Sequence, residues 1–324
     1  MRNYIIRRLL QLIPTLLILS FLIFSLLYIT PGDPIALMLG SGESGAIQSE
    51  IYETVKKDLG LDQPFFVRYF NFISNAIKGN LGQSYVTKQD VFTEIMARMP
   101  ATLCLTGAAA IIAILIAFPL GIMSALKKGS IWDACSSFLA TVGVSLPKFW
   151  FAFVLILVFS RNLGWFPSNG MAHLEEGIGP FFLHLALPAF SLGIGLAAVL
   201  MRILRANMLE CLAQDYVKFA RSKGLRERTV ILIHTIKNAL APVITVFGSE
   251  VGGLIGGAVV TETVFAWPGV GRLIMSSIGK RDYPMIQGTT LLLCAMYLCI
   301  NLIVDLCCAW LNPRIRLDKK EGSK

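Results

Sequence analysis

Charged residues are scarce in this sequence. Aspartate, glutamate, lysine and arginine make up 15% of its 324 residues, whereas 55% of the residues are hydrophobic. Soluble domains carry about 25% charged residues, so the composition argues against a soluble enzyme with one packed core. It is typical of a protein that crosses a membrane several times.

Sequence motifs for catalysis and nucleotide binding are absent as well. The chain contains no GxxxxGK[ST] phosphate loop, no HExxH zinc pair and no GxSxG nucleophile elbow. Its three histidines, His173, His184 and His234, lie in different segments and do not predict a metal site. We therefore expect no catalytic residue, no metal ligand and no cofactor in this chain.

Six apolar runs are long enough to cross about 30 Å of hydrocarbon as helices. The sequence therefore predicts an all-α protein, a polytopic membrane helical bundle with six transmembrane helices. The runs are Leu9–Ile29, Ala101–Leu126, Ala134–Ser160, Phe181–Met201, Ala239–Thr261 and Met285–Leu311. The predicted parts are an N-terminal tip with the first span (1–30), an extracytoplasmic helical segment (31–100), a core with five spans (101–311) and a tail (312–324).

Lysine and arginine are distributed unequally between the two faces that six spans create. Their density is about three times as high at the termini, and in the loops on the same face, as in the opposite segments. By the positive-inside rule, both termini and the polar segment 202–238 are expected in the cytoplasm. The net charge of +9 follows from this asymmetry and indicates contact with anionic lipid headgroups, not with nucleic acid.

The segments on the other face contain turns and short helices. A turn at Pro31–Pro34 follows the first span, and apolar residues at every fourth position then predict a helix that ends at Gly60. An aromatic helix over 65–77 suits the membrane interface, and a lid over the pore or a dock for a delivery protein is the alternative. Residues 265–271 predict a tight turn, followed by a short helix over 272–278.

Three charged residues lie inside the apolar runs: Lys148, Glu250 and Asp305. Each costs roughly 2.5 to 3.5 kcal/mol at the centre of a bilayer unless it is paired or hydrated. Pro147 predicts a broken helix before Lys148, and such breaks are tolerated where they line a cavity. Glycines around Glu250 allow a neighbouring helix to approach closely. Lys148 and Glu250 are candidates for a translocation pathway; burial of Glu250 against Lys148 or a partner subunit is the alternative.

The polar segment 202–238 contains a short predicted helix in the sequence DYVKFARSKGL. Asp215 is a suitable N-cap, Tyr216 to Lys223 supply about two turns, and Gly224 suits the left-handed position after a helix. A helix of this length cannot cross a bilayer, so it must lie against a surface. The segment is therefore either a solvated amphipathic helix that lies on the membrane surface or a helix that docks on a partner protein.

Nine segments along nearly the whole chain form a combined pattern: RRLLQLIPTLL, PGDP at Pro31–Pro34, GLDQPFFVRYF, GNLGQSY, MPATLCLT, DYVKFARSKGL, ETVFAWPGVGR, RDYPMIQG and NPRI at Asn312–Ile315. Together they resemble the permease subunits of the ABC importers for dipeptides, oligopeptides and nickel. The resemblance implies a type I ABC importer permease fold in the inner membrane of a bacterium or archaeon. It also implies a second homologous permease, two cytoplasmic ATPase subunits that use ATP and Mg²⁺, and an extracytoplasmic substrate-binding protein.

The resemblance further implies that the short helix is the coupling element that docks into a groove of an ATPase. The residues expected to form it are Asp215, Tyr216, Phe219, Ala220, Arg221, Lys223 and Gly224. The expected cargo is a di- or oligopeptide, with nickel or a nickel chelate as the alternative. A self-sufficient secondary transporter or channel, with Lys148, Glu250 and Asp305 as an ion route, is the hypothesis from a different functional class.

Overall fold

The structure, a computed structural model, describes residues 2–29 and 62–311. The turn predicted at Pro31–Pro34, the helix predicted to end at Gly60 and the tail 312–324 lie outside the described residues.

Helices account for nearly all of the described ranges, together with turns and one isolated β-bridge between Gln83 and Asp90. We number the helices in chain order. They are α1 Arg2–Ile29, α2 Phe65–Ile77, α3 Val91–Leu126, α4 Ile131–Ser145, α5 Lys148–Asn162, α6 Ile178–Ala213, α7 Asp215–Ser222, α8 Glu227–Val264, α9 Val270–Gly279 and α10 Tyr283–Leu311. The end of α5 and a segment near the start of α8 are π-helical.

Long apolar helices are the main feature of the described residues. Four of them, α3, α6, α8 and α10, are long and apolar enough to cross a membrane, and the bent pair α4 and α5 makes five if it forms one span. The first predicted span corresponds to α1. The all-α membrane bundle is confirmed, while the total of six spans stays a prediction.

Three helices extend beyond the apolar runs that predicted them. Helix α6 continues to Ala213 and α8 begins at Glu227, so the polar segment 202–238 is mostly helical and α7 forms its centre. Helix α3 begins at Val91, ten residues before its apolar run. An α-helix satisfies its backbone hydrogen bonds internally, so it can continue into water after the hydrophobic stretch has ended.

The chain divides into two compact units. Unit 1 comprises Met1–Pro100 and Gly269–Met296, and unit 2 comprises Ala101–Pro268 and Tyr297–Lys324.

In unit 1, α2 packs against α1 through aromatic rings. The buried Phe24 ring lies 5.3 Å from the Phe65 ring and 5.7 Å from the Tyr69 ring, both in edge-to-face arrangements. The Tyr69 hydroxyl lies 3.0 Å from Ser20 Oγ. The aromatic helix predicted over 65–77 is confirmed, and part of its apolar side is used within the protein.

A buried carboxylate holds the turn before α10, also in unit 1. Asp282 accepts hydrogen bonds from Ser84 Oγ at 2.5 Å and from the Tyr85 backbone N–H at 3.0 Å. These bonds satisfy both oxygens of a side chain that would otherwise be costly to bury.

In unit 2, α6 is the most deeply buried of the long helices. Alanines at every fourth position of α3, Ala109, Ala113 and Ala117, have no exposed surface. A Cβ added to Gly193 of α6 would lie 2.5 Å from the Ala109 carbonyl oxygen. Small residues thus allow close approach of the two backbones, as is common between membrane helices.

Glycines four residues apart also bring α8 close to α10. A Cβ on Gly248 would lie 1.9 Å from Val304 Cγ1, and one on Gly252 would lie 2.7 Å from Asn301 Oδ1. The close helix approach predicted around Glu250 is therefore confirmed. This glycine face is one side of α8, and Glu250 lies on another.

Candidate functional site

The first part of the candidate site is a break between two helices, α4 and α5. Helix α4 ends at Ser145, α5 begins at Lys148, and the two helices are bent by 110°. Leu146 and Pro147 between them have extended backbones, and the Phe151 N–H donates to the Pro147 carbonyl at 3.0 Å. The break predicted at Pro147 is confirmed, because proline supplies no N–H and disfavours helix in the residue before it.

A cavity of about 660 Å³ lies beside this break, within unit 2. Residues of α3, α4, α5, α6 and α8 line it, and most of them are apolar. Both candidate pathway residues, Lys148 and Glu250, are among the lining residues. The volume lies within the range of ordinary small-molecule sites. The structure thus brings together two charges that are 102 positions apart in the sequence.

Lys148 and Glu250 share the cavity without contacting each other. Both residues are exposed, and no ion pair joins them within the described part of the chain. A Cβ on Gly257 would lie 2.8 Å from Lys148 Nζ, which places the ammonium beside Gly257. Glu250 lies seven residues earlier on the same helix, about 10 Å along its axis. Direct pairing of Glu250 with Lys148, one of the alternatives above, is not observed.

The third intramembrane charge, Asp305, lies on α10. Its side chain lies outside the described residues.

Helix α7 forms the second part of the candidate site, and its first turn differs from the prediction. Gln214, not Asp215, occupies the N-cap position, because this one residue both ends α6 and precedes α7. Asp215 is the first helical residue, and its carboxylate accepts from Lys218 Nζ at 2.9 Å. That hydrogen bond lowers the pKa of the Asp215 carboxyl. Asp215 therefore stabilises α7 through its position at the positive helix end, not as a cap.

The end of α7 follows the prediction closely. Gly224 has a φ of +75°, in the left-handed region. Its N–H donates to the Arg221 carbonyl at 2.9 Å, and the Leu225 N–H donates to the Ala220 carbonyl at 3.4 Å. These two bonds form a Schellman motif, which ends the helix and satisfies its last carbonyl groups.

The apolar residues of α7 divide between two faces. Val217 and Ala220 are buried with Val230 in a small core of this loop region. Tyr216 and Phe219, in contrast, are 41% and 61% exposed. Ala220 therefore packs in the core under α7, whereas Tyr216 and Phe219 form the surface that is available to a partner.

Cations surround this aromatic surface. Lys223 Nζ lies 4.6 Å from the centroid of the Phe219 ring, a cation–π contact. Arg221 donates two hydrogen bonds to Glu227, at 2.6 Å and 3.2 Å, which tie α7 to the start of α8. The exposed face of α7 is thus both aromatic and basic, and its ends are fixed.

Sequence reasoning missed an ion pair that joins α4 to α6. Asp133, at the start of α4, is buried and accepts from Arg205 Nε at 2.6 Å and Arg205 Nη2 at 2.8 Å. Ser124 Oγ and the Gly129 N–H also donate to it. The carboxylate thus fixes the turn between α3 and α4 and links it to α6. Because Asp133 and Arg205 are 72 positions apart in the sequence, no local sequence pattern predicts this ion pair.

Known protein families account for nearly the whole chain. Residues 117–317 match the family described as "Binding-protein-dependent transport system inner membrane component", and residues 1–106 match "Binding-prot-dependent transport system membrane comp, N-term".

Curated relatives match from end to end. The glutathione transport system permease protein GsiC of Escherichia coli is 41% identical, and the di/tripeptide transport system permease protein DppB of Pseudomonas aeruginosa is 39% identical. Each match covers 98% of this chain and 99% of the relative.

A solved structure shares the fold. An inward-facing structure of the MetNI methionine ABC transporter superposes with a TM-score of 0.55 over 67% of this chain and 96% of that chain. At 17% sequence identity, this likeness establishes the helical architecture alone.

Proposed function

This chain belongs to the family of binding-protein-dependent transport system inner membrane components, and we propose that it is the permease subunit of an ATP-driven importer of di- and oligopeptides. The observation that carries the proposal is the end-to-end match to two permeases whose names specify di/tripeptides and glutathione, itself a tripeptide. These names favour peptides over nickel as the cargo.

Energy for transport would come from partner subunits. The sequence has no phosphate loop, and α7 offers exposed Tyr216 and Phe219 on a helix with a Schellman end. A short rigid helix with an aromatic and basic face is suited to docking into a groove of an ATPase. In this proposal ATP and Mg²⁺ bind to the ATPase subunits, and the docked α7 follows their movement.

The remaining partners and the orientation belong to the same proposal. A second, similar permease completes the pathway, and an extracytoplasmic binding protein delivers the cargo. The excess of lysine and arginine around α7 supports a cytoplasmic position for that helix and for both termini, in the inner membrane of a bacterium or archaeon. ATP then drives transport by favouring one of two permease conformations. It shifts the equilibrium between these conformations only as far as its affinities for the two states differ.

Reconstitution in liposomes tests the proposal. The complete assembly, with the second permease, both ATPases and the binding protein, should accumulate radiolabelled trialanine only when ATP is present. This chain alone should accumulate none. Uptake by the lone chain, driven by an ion gradient and indifferent to ATP, would contradict the proposal and support a secondary transporter.

A further inference from the structure

The cavity of unit 2 combines an apolar wall with two separated opposite charges. Of its lining residues, Lys148 and Glu250 are charged and Ser191 carries a hydroxyl, while the others are apolar residues or glycines. An apolar wall around a few polar groups is the usual composition of a small-molecule site. A cargo that carries both a positive and a negative group is complementary to these two charges.

The spacing of the two residues along α8 indicates the size of that cargo. Lys148 Nζ lies beside Gly257, and Glu250 is seven residues, or about 10 Å along the helix axis, from Gly257. An extended peptide advances at most about 3.3 to 3.6 Å per residue. Three extended residues therefore span about the same length as this axial spacing.

The position of Lys148 favours an anion at its end of the cavity. Lys148 is the first residue of α5, where the positive end of the helix dipole disfavours a cation. The first backbone N–H groups of a helix also have no acceptor within the helix. A carboxylate bound to the Lys148 ammonium would offset this unfavourable positive charge at the start of α5.

We infer that the cavity recognises short zwitterionic peptides by their two free termini, with Glu250 binding the α-ammonium group and Lys148 binding the α-carboxylate. This inference rests on the proposed function and specifies its substrate class. Both side chains are exposed and have no ion-pair partner within the described residues, so each gains a charge-assisted hydrogen bond when the peptide enters. The apolar wall accepts varied peptide side chains because it offers few polar groups to select among them.

The cavity inference is tested by peptide binding to the purified permease–ATPase complex without the binding protein. Saturation-transfer NMR gives the Kd of trialanine, N-acetyl-trialanine and trialanine amide. N-methyl-trialanine is the matched control for added size, because it retains the terminal charge. We expect the complex to bind trialanine and its N-methyl form about tenfold more tightly than either blocked peptide. Dialanine and pentaalanine should bind more weakly than trialanine.

Variants assign each terminus to a residue. Glu250→Gln should abolish the preference for a free amino terminus and retain the preference for a free carboxylate, and Lys148→Gln should do the reverse. Ser249→Ala, next to Glu250 but outside the cavity lining, should retain both preferences. Equal binding of all the peptides by the unmodified complex, no saturable binding of trialanine, or loss of both preferences in each variant would overturn the inference.

Uptake by the complete reconstituted assembly, with the binding protein, separates this inference from the proposed function. ATP-dependent uptake of trialanine by that assembly, together with equal binding of free and blocked peptides by the permease–ATPase complex, would refute the cavity inference alone. Failure to take up any peptide, with the complex intact and ATP hydrolysed, would refute the proposed function.

Discussion

Two sets of charges in unit 2 have opposite surroundings. Arg205 forms a bidentate ion pair with Asp133, and Ser124 and Gly129 donate further hydrogen bonds to the Asp133 carboxylate. Lys148 and Glu250 face a cavity and have no ion-pair partner among the described residues. The first set is a closed network, whereas the second can still accept partners.

This difference separates structural charges from charges that are available to a ligand. A carboxylate that is buried with several donors stabilises one arrangement of the helices that hold those donors. Charges that are exposed in an apolar cavity and have no ion-pair partner among the described residues are open to a complementary ligand. The region around α7 differs from both sets, because its ion pairs are exposed while two backbone hydrogen bonds fix its Schellman end.

The largest expected effect comes from opening the closed network. Asp133→Asn removes the negative charge to which Arg205 donates two hydrogen bonds, and breaking this partly buried pair is expected to cost about 2 to 3 kcal/mol. We expect a clearly lower melting temperature of the purified complex in detergent. Glu250→Gln and Lys148→Gln are the matched variants and should change stability by less than about 0.5 kcal/mol. Equal destabilisation by all three substitutions would contradict the distinction between the two sets.

The next largest effect concerns the rigid end of α7. Gly224→Val places a β-branched residue at a φ of +75°, which costs roughly 1 to 3 kcal/mol locally. We expect normal membrane insertion but loss of coupling, measured as peptides taken up per ATP hydrolysed. Gly224→Asn is the control, since asparagine tolerates the left-handed region and should retain most coupling. Normal coupling in Gly224→Val would show that the Schellman end is not needed for force transmission.

The smallest effect is a displacement within the cavity. Gly257→Ala adds a Cβ 2.8 Å from Lys148 Nζ, so the flexible ammonium must move, while the fold is expected to stay intact. We expect a severalfold weaker preference for a free peptide carboxylate, measured by the same NMR competition. Gly256→Ala, whose Cβ would meet no atom within 4 Å, is the control. An unchanged preference in Gly257→Ala would show that the position of Lys148 beside Gly257 is unimportant.

Much of the helical framework could be predicted because its causes are local. Membrane-length apolar runs, Pro147 at the helix break and Gly224 after α7 each act within a few residues, and the corresponding elements are present. The helix ends were less predictable. Polar residues continue α6 and α8 far beyond their apolar runs. An apolar run indicates which part of a helix lies in the membrane, and it does not indicate where the helix ends.

The candidate site was predictable only in part. The cost of a charge in a membrane singled out Lys148 and Glu250, but nothing in the sequence placed them in one cavity. The prediction that Asp215 is the N-cap was wrong. Helix α6 extends to Ala213, so Gln214 is the one residue between α6 and α7 and occupies the N-cap position.

The sequence by itself determined that this chain is an all-α membrane protein of the importer permease family with a short rigid helix in its polar segment. Periodicity, proline, glycine and charge density act through near neighbours, so a linear chain displays them directly. Only the tertiary structure decided that Asp133 is bonded to Arg205 and that Lys148 and Glu250 line one cavity without forming an ion pair among the described residues. These relations depend on how distant helices pack, through glycine and alanine contacts that hydrophobicity does not specify.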